Sequence, residues 1–273
     1  MLRKLLGLSR SEAIDSQHWR RIASGLPFLN HLSLAERELL KAQCEAFLGA
    51  RQFSGAAGFG IDDDVRVGIA IQACLPTLHL GPGSYGDFVE IVVYPDRFVA
   101  PRHQVDEVGV VHEYRDELVG EAMEGGPVVL SWPDADPAAG HVGYNVVIHE
   151  FAHKLDLLDG AADGAPPLPA ALRKRWARTM TEAYEDFCDR LDAVEAAIPR
   201  HVDPESPAAD GWYERLPLDP YAATDPGEFF AVTAETFFTD PLALHGAYPD
   251  LYLLLRDYFR QDPLARPPPP TAP

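Results

Sequence analysis

Apolar residues along this chain recur with two periods, and the switches between them mark out the elements. Over 33–50, Leu34, Leu39, Leu40 and Phe47 follow Ser33 and Glu36, a Ser-x-x-Glu capping signature that predicts a helix. A second helical run, 62–75, carries Val65, Ile69, Ala70 and Leu75; it starts behind three aspartates suited to a positive helix end and stops at Pro76. The pattern then changes. Residues 88–94 (FVEIVVY), 108–114 and 126–132 (GPVVLSW) are short, rich in β-branched and aromatic residues, and bounded by Gly, Pro or Asp, so they read as strands. Helical periodicity returns in 145–160, in 170–198 through Trp176, Met180, Tyr184, Phe187 and Leu191, in 228–238 behind Asp225 and Pro226, and in 251–259.

These elements predict an α+β fold in which a small mixed or antiparallel sheet packs against the helix over 145–160, with further helices before and after. The expected organisation is a lead-in over 1–30, a single folded unit over 31–262, and a proline-rich tail over 263–273, disordered or extended. The strand at 126–132 reads either as a core strand or as a sheet edge along which an extended peptide could pair.

Composition narrows the chemistry by exclusion. The 273 residues are 47% hydrophobic and 24% charged, ordinary for a globular enzyme. With 42 acidic against 23 basic side chains the net charge is −19, which argues against direct nucleic-acid contact, where clustered Lys and Arg are needed. No apolar stretch approaches the roughly 18 residues of a spanning helix, so no membrane association is expected. Cys44, Cys74 and Cys188 are widely separated and fit reduced thiols in a cytoplasmic protein.

The chemistry concentrates in 146–159, VVIHEFAHKLDLLD, where His149, Glu150 and His153 form H-E-x-x-H. Residues four apart share one helix face, so both imidazoles can reach one zinc ion while Glu150 sits beside it as general base. Ile148, Phe151, Ala152 and Leu155 make the opposite, core-facing side, and Asp156 clusters with the histidines. A catalytic zinc needs a third protein ligand. Glu228 and Glu235 both qualify, since they lie seven apart and project to one face, and Glu228 also reads as the end of a capping box with Asp225. Asp156 and Glu235 are candidates to orient a ligand histidine through its second ring nitrogen.

HEFAHKLD followed at a distance by YAATDPGEFFAVTAE is similar to the Mlc titration factor A family of bacterial zinc peptidases, and the local pattern resembles the catalytic domain of anthrax lethal factor. The similarity runs from about residue 28 to about residue 265. It implies a zincin-like core binding one zinc ion per chain through His149, His153 and Glu228, with Tyr221 stabilising the oxyanion and Glu235 left to the surrounding shell. It also implies hydrolysis of peptide or protein substrates with an aminopeptidase-like preference and, in enteric bacteria, binding of the glucose-responsive repressor Mlc. The alternative reading is a regulatory protein that sequesters such a repressor, with weak or vestigial hydrolysis.

Overall fold

A computed structural model of the chain describes residues 12–81, 83–105, 111–123, 125–136 and 143–265. Outside the described residues lie 1–11 of the lead-in, 108–110 of the second predicted strand, 137–142 of the following loop and 266–273 of the proline-rich tail.

Residues 12–30 are more ordered than a lead-in. Asp15 accepts the backbone N–H groups of Gln17 and His18 to start α1 (Ser16–Ala23), which buries Trp19 and Ala23 in the core. Ser33 and Glu36 exchange hydrogen bonds as a reciprocal capping box, and α2 (Leu34–Ala50) follows. The chain passes directly into β1 (Gln52–Gly55), then α3 (Asp63–Cys74), whose first turn is capped by Asp62. Next come β2 (Glu90–Tyr94), β3 (Phe98–Val105), β4 (Val111–Leu118), β5 (Gly120–Ala122) and β6 (Val128–Ser131). A short α4 (Trp132–Ala135) precedes the motif helix α5 (Val146–Asp156). The remainder is helical: α6 (Ala170–Ala197), α7 (Asp210–Tyr213), α8 (Pro226–Thr239), α9 (Pro241–Ala247) and α10 (Pro249–Phe259).

The main sheet is mixed, in the order β1-β2-β6-β5. β1, β2 and β6 run parallel, with α3 supplying the crossover between the first two, and β5 pairs antiparallel to β6 at the edge. The predicted strand at 108–114 belongs elsewhere: β4 pairs with β3 in a separate two-stranded antiparallel hairpin. The strand at 126–132 is a core strand, because β6 is buried throughout and flanked on both sides; the edge is β5. Neither β1 nor β5 has the alternation that announces a strand, β5 being three residues that begin with glycine.

The motif helix sits at the centre of this arrangement. Asn145 caps it by accepting the Ile148 N–H, and Val147, Ile148, Phe151 and Ala152 are fully buried. Phe151 packs edge-on against Phe47, Tyr85 and Phe88, so α5 is wedged against residues from α2 and from the segment leading into β2. It also packs against β5, β6 and α8. Helix α8 is apolar almost all round, as a helix buried on every side must be, with Phe229, Phe230, Phe237 and Phe238 fully enclosed. Among the described residues no helix is long and apolar enough to cross a membrane.

Candidate metal centre

His149 and His153 stand one turn apart on α5, and Glu228, the third residue of α8, reaches them from the facing helix. Asp225 accepts the N–H groups of Gly227 and Glu228, and Pro226 occupies the first helical position where its missing N–H is no loss. The local capping thus fixes where the Glu228 side chain leaves the helix.

Three ligand-capable atoms converge. His149 Nε2 and His153 Nε2 lie 3.0 and 3.1 Å from Glu228 Oε2, and 3.2 Å from each other. Four ligands placed tetrahedrally at bond lengths of ~2.0 Å are separated by roughly 3.3 Å, so these spacings are those of three corners of a tetrahedral site. Each of the three atoms can also offer an electron pair to a cation placed between them. His149, His153 and Glu228 are the group of this kind found among the described residues.

Glu235, two turns further along α8, approaches from the other side of the same imidazole. Its Oε1 is 3.4 Å from His149 Nδ1, and its Oε2 accepts the backbone N–H of Asn145 at 2.8 Å. Asn145 in turn donates to Gln72 Oε1 on α3 at 2.7 Å, so a buried polar chain runs from α3 through the cap of α5 to α8 and the histidine. A carboxylate at Nδ1 favours the tautomer that leaves Nε2 free to bind an ion. Asp156 does not face either ligand histidine in this way: its Oδ2 accepts the Gly164 N–H at 2.8 Å, and its buried Oδ1 has no hydrogen-bond partner among the described residues.

The electrostatics follow from burial and pairing. Burial pulls the His149 ring down, but hydrogen bonds to Glu228 and Glu235 outweigh it and hold the ring well above the ordinary histidine value. Burial likewise pushes Glu228 up, and the two imidazoles overcome it, holding the carboxylate well below the usual range. Glu150 behaves differently. It is only 4% exposed, and burial raises it to about 6 despite the nearby histidines. Glu235 is also raised by burial.

The centre opens into a cleft of about 470 Å³. One wall carries α5, α8 and the 3₁₀ turn Pro220–Ala223; the other is β5 with Val119. Tyr221, about half exposed, stands over the centre with its ring 6.1 Å from that of His149, and its hydroxyl is 3.2 Å from Glu228 Oε1. Asp219 fixes this turn by accepting the Tyr221 N–H.

The model of the glucose-regulated metallo-peptidase M90 family matches residues 3–260. The chain belongs to this family. It is 34% identical to the Mlc titration factor A of Pectobacterium atrosepticum over 259 residues, 94% of this chain and 91% of the relative. Homologues of the same name from Klebsiella pneumoniae and Salmonella typhi are also 34% identical, over 89% of this chain and 86% of theirs.

Three residues of this M90 chain that the sequence did not single out also shape the site. Asn145 and Gln72 hold Glu235, and the only signal for Asn145 was its suitability as a helix cap. Gly120 is the third: a Cβ there would stand 2.4 Å from Glu150 Oε1 and 2.7 Å from its Cγ, so the strand backbone presses directly on the buried carboxylate. No sequence pattern announces such a backbone contact.

Proposed function

We propose that the cleft is the active site of a zinc peptidase, with His149, His153 and Glu228 as ligands of one ion and Glu150 as general base. The observation carrying this reading is the convergence of three ligand atoms at tetrahedral spacing beside a buried carboxylate raised to about 6. Zinc held there would supply Lewis acidity, polarising a carbonyl and making a water acidic enough to lose its proton near neutral pH. Glu150 takes that proton and delivers it to the leaving amine, and a carboxylate titrating near 6 is matched to both transfers. Tyr221 turns its phenol from Glu228 to the developing oxyanion. Glu235 keeps His149 oriented by its Nδ1. An extended peptide adds to the edge of β5 left unpaired among the described residues, where main-chain pairing tolerates varied side chains, and the family resemblance carries an aminopeptidase-like preference. The three free cysteines fit a cytoplasmic location.

The test compares zinc-loaded wild type with Glu150→Gln on short chromogenic peptides and on a peptide library read by mass spectrometry. Loss of about 10²–10⁴-fold in kcat with zinc content retained is expected for the variant. Equal hydrolysis by the two proteins overturns the assignment.

The name shared by the relatives supports a second reading, in which the chain titrates a repressor of the Mlc type. The two readings separate with the same variant: Glu150→Gln should still bind such a repressor if sequestration is independent of hydrolysis.

A further inference from the structure

The motif helix carries a fifth polar residue with no part in metal binding. Lys154 follows His153 and is only 4% exposed, an uncommon place for a lysine. Its ammonium donates to the carbonyls of Met123 and Gly126, at 2.5 and 2.8 Å, and lies 5.1 Å from the ring centre of Phe88. Those two carbonyls belong to the turn between β5 and β6, where the Gly126 N–H also donates to the Met123 carbonyl. Lys154 therefore ties α5 to the end of the edge strand.

Glu150 and Lys154 are four residues apart, so they share one face of α5, the face turned to β5. Glu150 meets the strand at its start, where Gly120 leaves no room for a Cβ, and Lys154 holds the turn at its end. The strand thus has two fixed points on one helix, and one of them is the candidate base. Its other edge pairs with β6, and the Ser131 N–H donates to the Val119 carbonyl just before it.

We infer that Lys154 and Gly120 are positioning residues that set the register of a bound peptide against Glu150. The inference rests on the peptidase reading, because the ledge has a purpose only if a substrate strand pairs with β5. A peptide paired along β5 inherits the strand's placement, and the bond presented to Glu150 is decided by where the strand is held. Near-attack geometry tolerates little slack, since displacements of about 1 Å can cost on the order of 10²-fold in rate. Anchoring the strand to the helix that carries the base removes the intervening sheet from that tolerance.

The two residues should fail differently. Lys154→Met keeps an unbranched apolar side chain but removes the ammonium from both carbonyls, leaving that of Met123 only the Gly126 N–H, so the strand end loosens. The loss in kcat/KM should grow with peptide length, at least about fivefold larger for a hexapeptide than for a single-residue nitroanilide, and should appear mainly in KM. Gly120→Ala displaces Glu150 itself. It should lower kcat by roughly tenfold or more at every length, with KM and zinc content unchanged.

The experiment measures both variants and the wild type, zinc-loaded and full length, on this length series, and follows amide exchange of residues 119–122. Length-graded loss with faster exchange in Lys154→Met supports the inference. Equal loss at all lengths in Lys154→Met, or no loss in that variant, overturns it. If the wild type cleaves none of the peptides, the peptidase reading fails by itself. The inference is then decided by titrating a fluorescein-labelled hexapeptide, where unchanged affinity and exchange in Lys154→Met overturn it. If circular dichroism shows that Lys154→Met does not fold, Gly120→Ala decides: an unaltered kcat overturns the inference.

Discussion

On one wall of the cleft, two buried helices carry His149, His153, Glu150, Glu228 and Glu235; the other is a three-residue strand that begins with glycine. The helical wall is over-determined. His149 is approached at Nε2 by Glu228 and at Nδ1 by Glu235, and Glu235 is itself pinned by Asn145, which is pinned by Gln72. The strand wall is minimal, with β5 paired on one side and fixed to α5 at Gly120 and through Lys154. The difference teaches a division of labour. On the peptidase reading, the groups that would meet a metal sit on buried helices, and the strand proposed to accept varied peptides offers main-chain groups common to all of them.

The sharpest way to break the comparison is to remove each glutamate of the helical wall in turn. Glu228→Ala should lose stoichiometric zinc, measured by atomic emission on dialysed protein, while Glu235→Ala should keep it with about 10–100-fold weaker affinity. A reversed outcome would exchange the roles of the two side chains.

A smaller effect is expected from the loop that braces α8. Gly164 has a φ of +78°, and a Cβ there would lie 2.3 Å from the carbonyl oxygen of Pro226, two residues before Glu228. Its N–H is held by Asp156, and its carbonyl accepts from the Trp176 indole. Gly164→Ala should destabilise the protein by on the order of 1–3 kcal/mol and weaken zinc binding with it. Urea unfolding with and without zinc measures both, and a variant that unfolds like the wild type would show that the brace does not set the position of Glu228.

The smallest effect concerns pH. Burial raises Asp156 to about 7, so its folded-state value lies above that of the unfolded chain. Such a carboxyl binds its proton more tightly in the folded state. It costs nothing below about pH 4, and the cost grows as pH rises and is complete above about pH 7. Asp156→Asn keeps an acceptor for Gly164 and removes the charge. In chelator-treated protein it should melt roughly 5 °C higher than the wild type at pH 8, with the gap closing toward pH 4. A gap that is constant with pH would mean that the buried charge is not its source.

Much of this was legible in the sequence where the determining physics is local. Ser33 with Glu36, the three aspartates from Asp62, and Asp225 with Pro226 announced three helices because what favours a helix start acts over short range. The family followed from two motifs, and the strand runs announced β2 and β6 of a sheet expected to be mixed or antiparallel. What escaped was decided by partners distant in the chain. Spacing put Glu228 and Glu235 on one face, but which nitrogen of His149 each one meets depends on how α8 lies across α5. Asp156 shares a helical quadrant with the histidines by angle, yet it turns to a loop that folds beneath it. Lys154 carries no signal in the sequence beyond its charge, and only the structure shows it bonded to strand carbonyls. β5 has neither length nor alternation, and its importance lies in what its glycine lacks.

Glu228 enters the centre 75 residues after His153, and the excursion between them contains the whole of α6 and α7. An ion bound by both residues is topologically a cross-link, closing a long loop much as a disulfide would, and the entropy of that closure belongs to folding. Metal supply then becomes a thermodynamic variable of the protein: each tenfold rise in free ion above the dissociation constant adds about 1.4 kcal/mol to the folded state. The same three side chains proposed to set up hydrolysis would make the abundance of the protein responsive to the metal status of the cell.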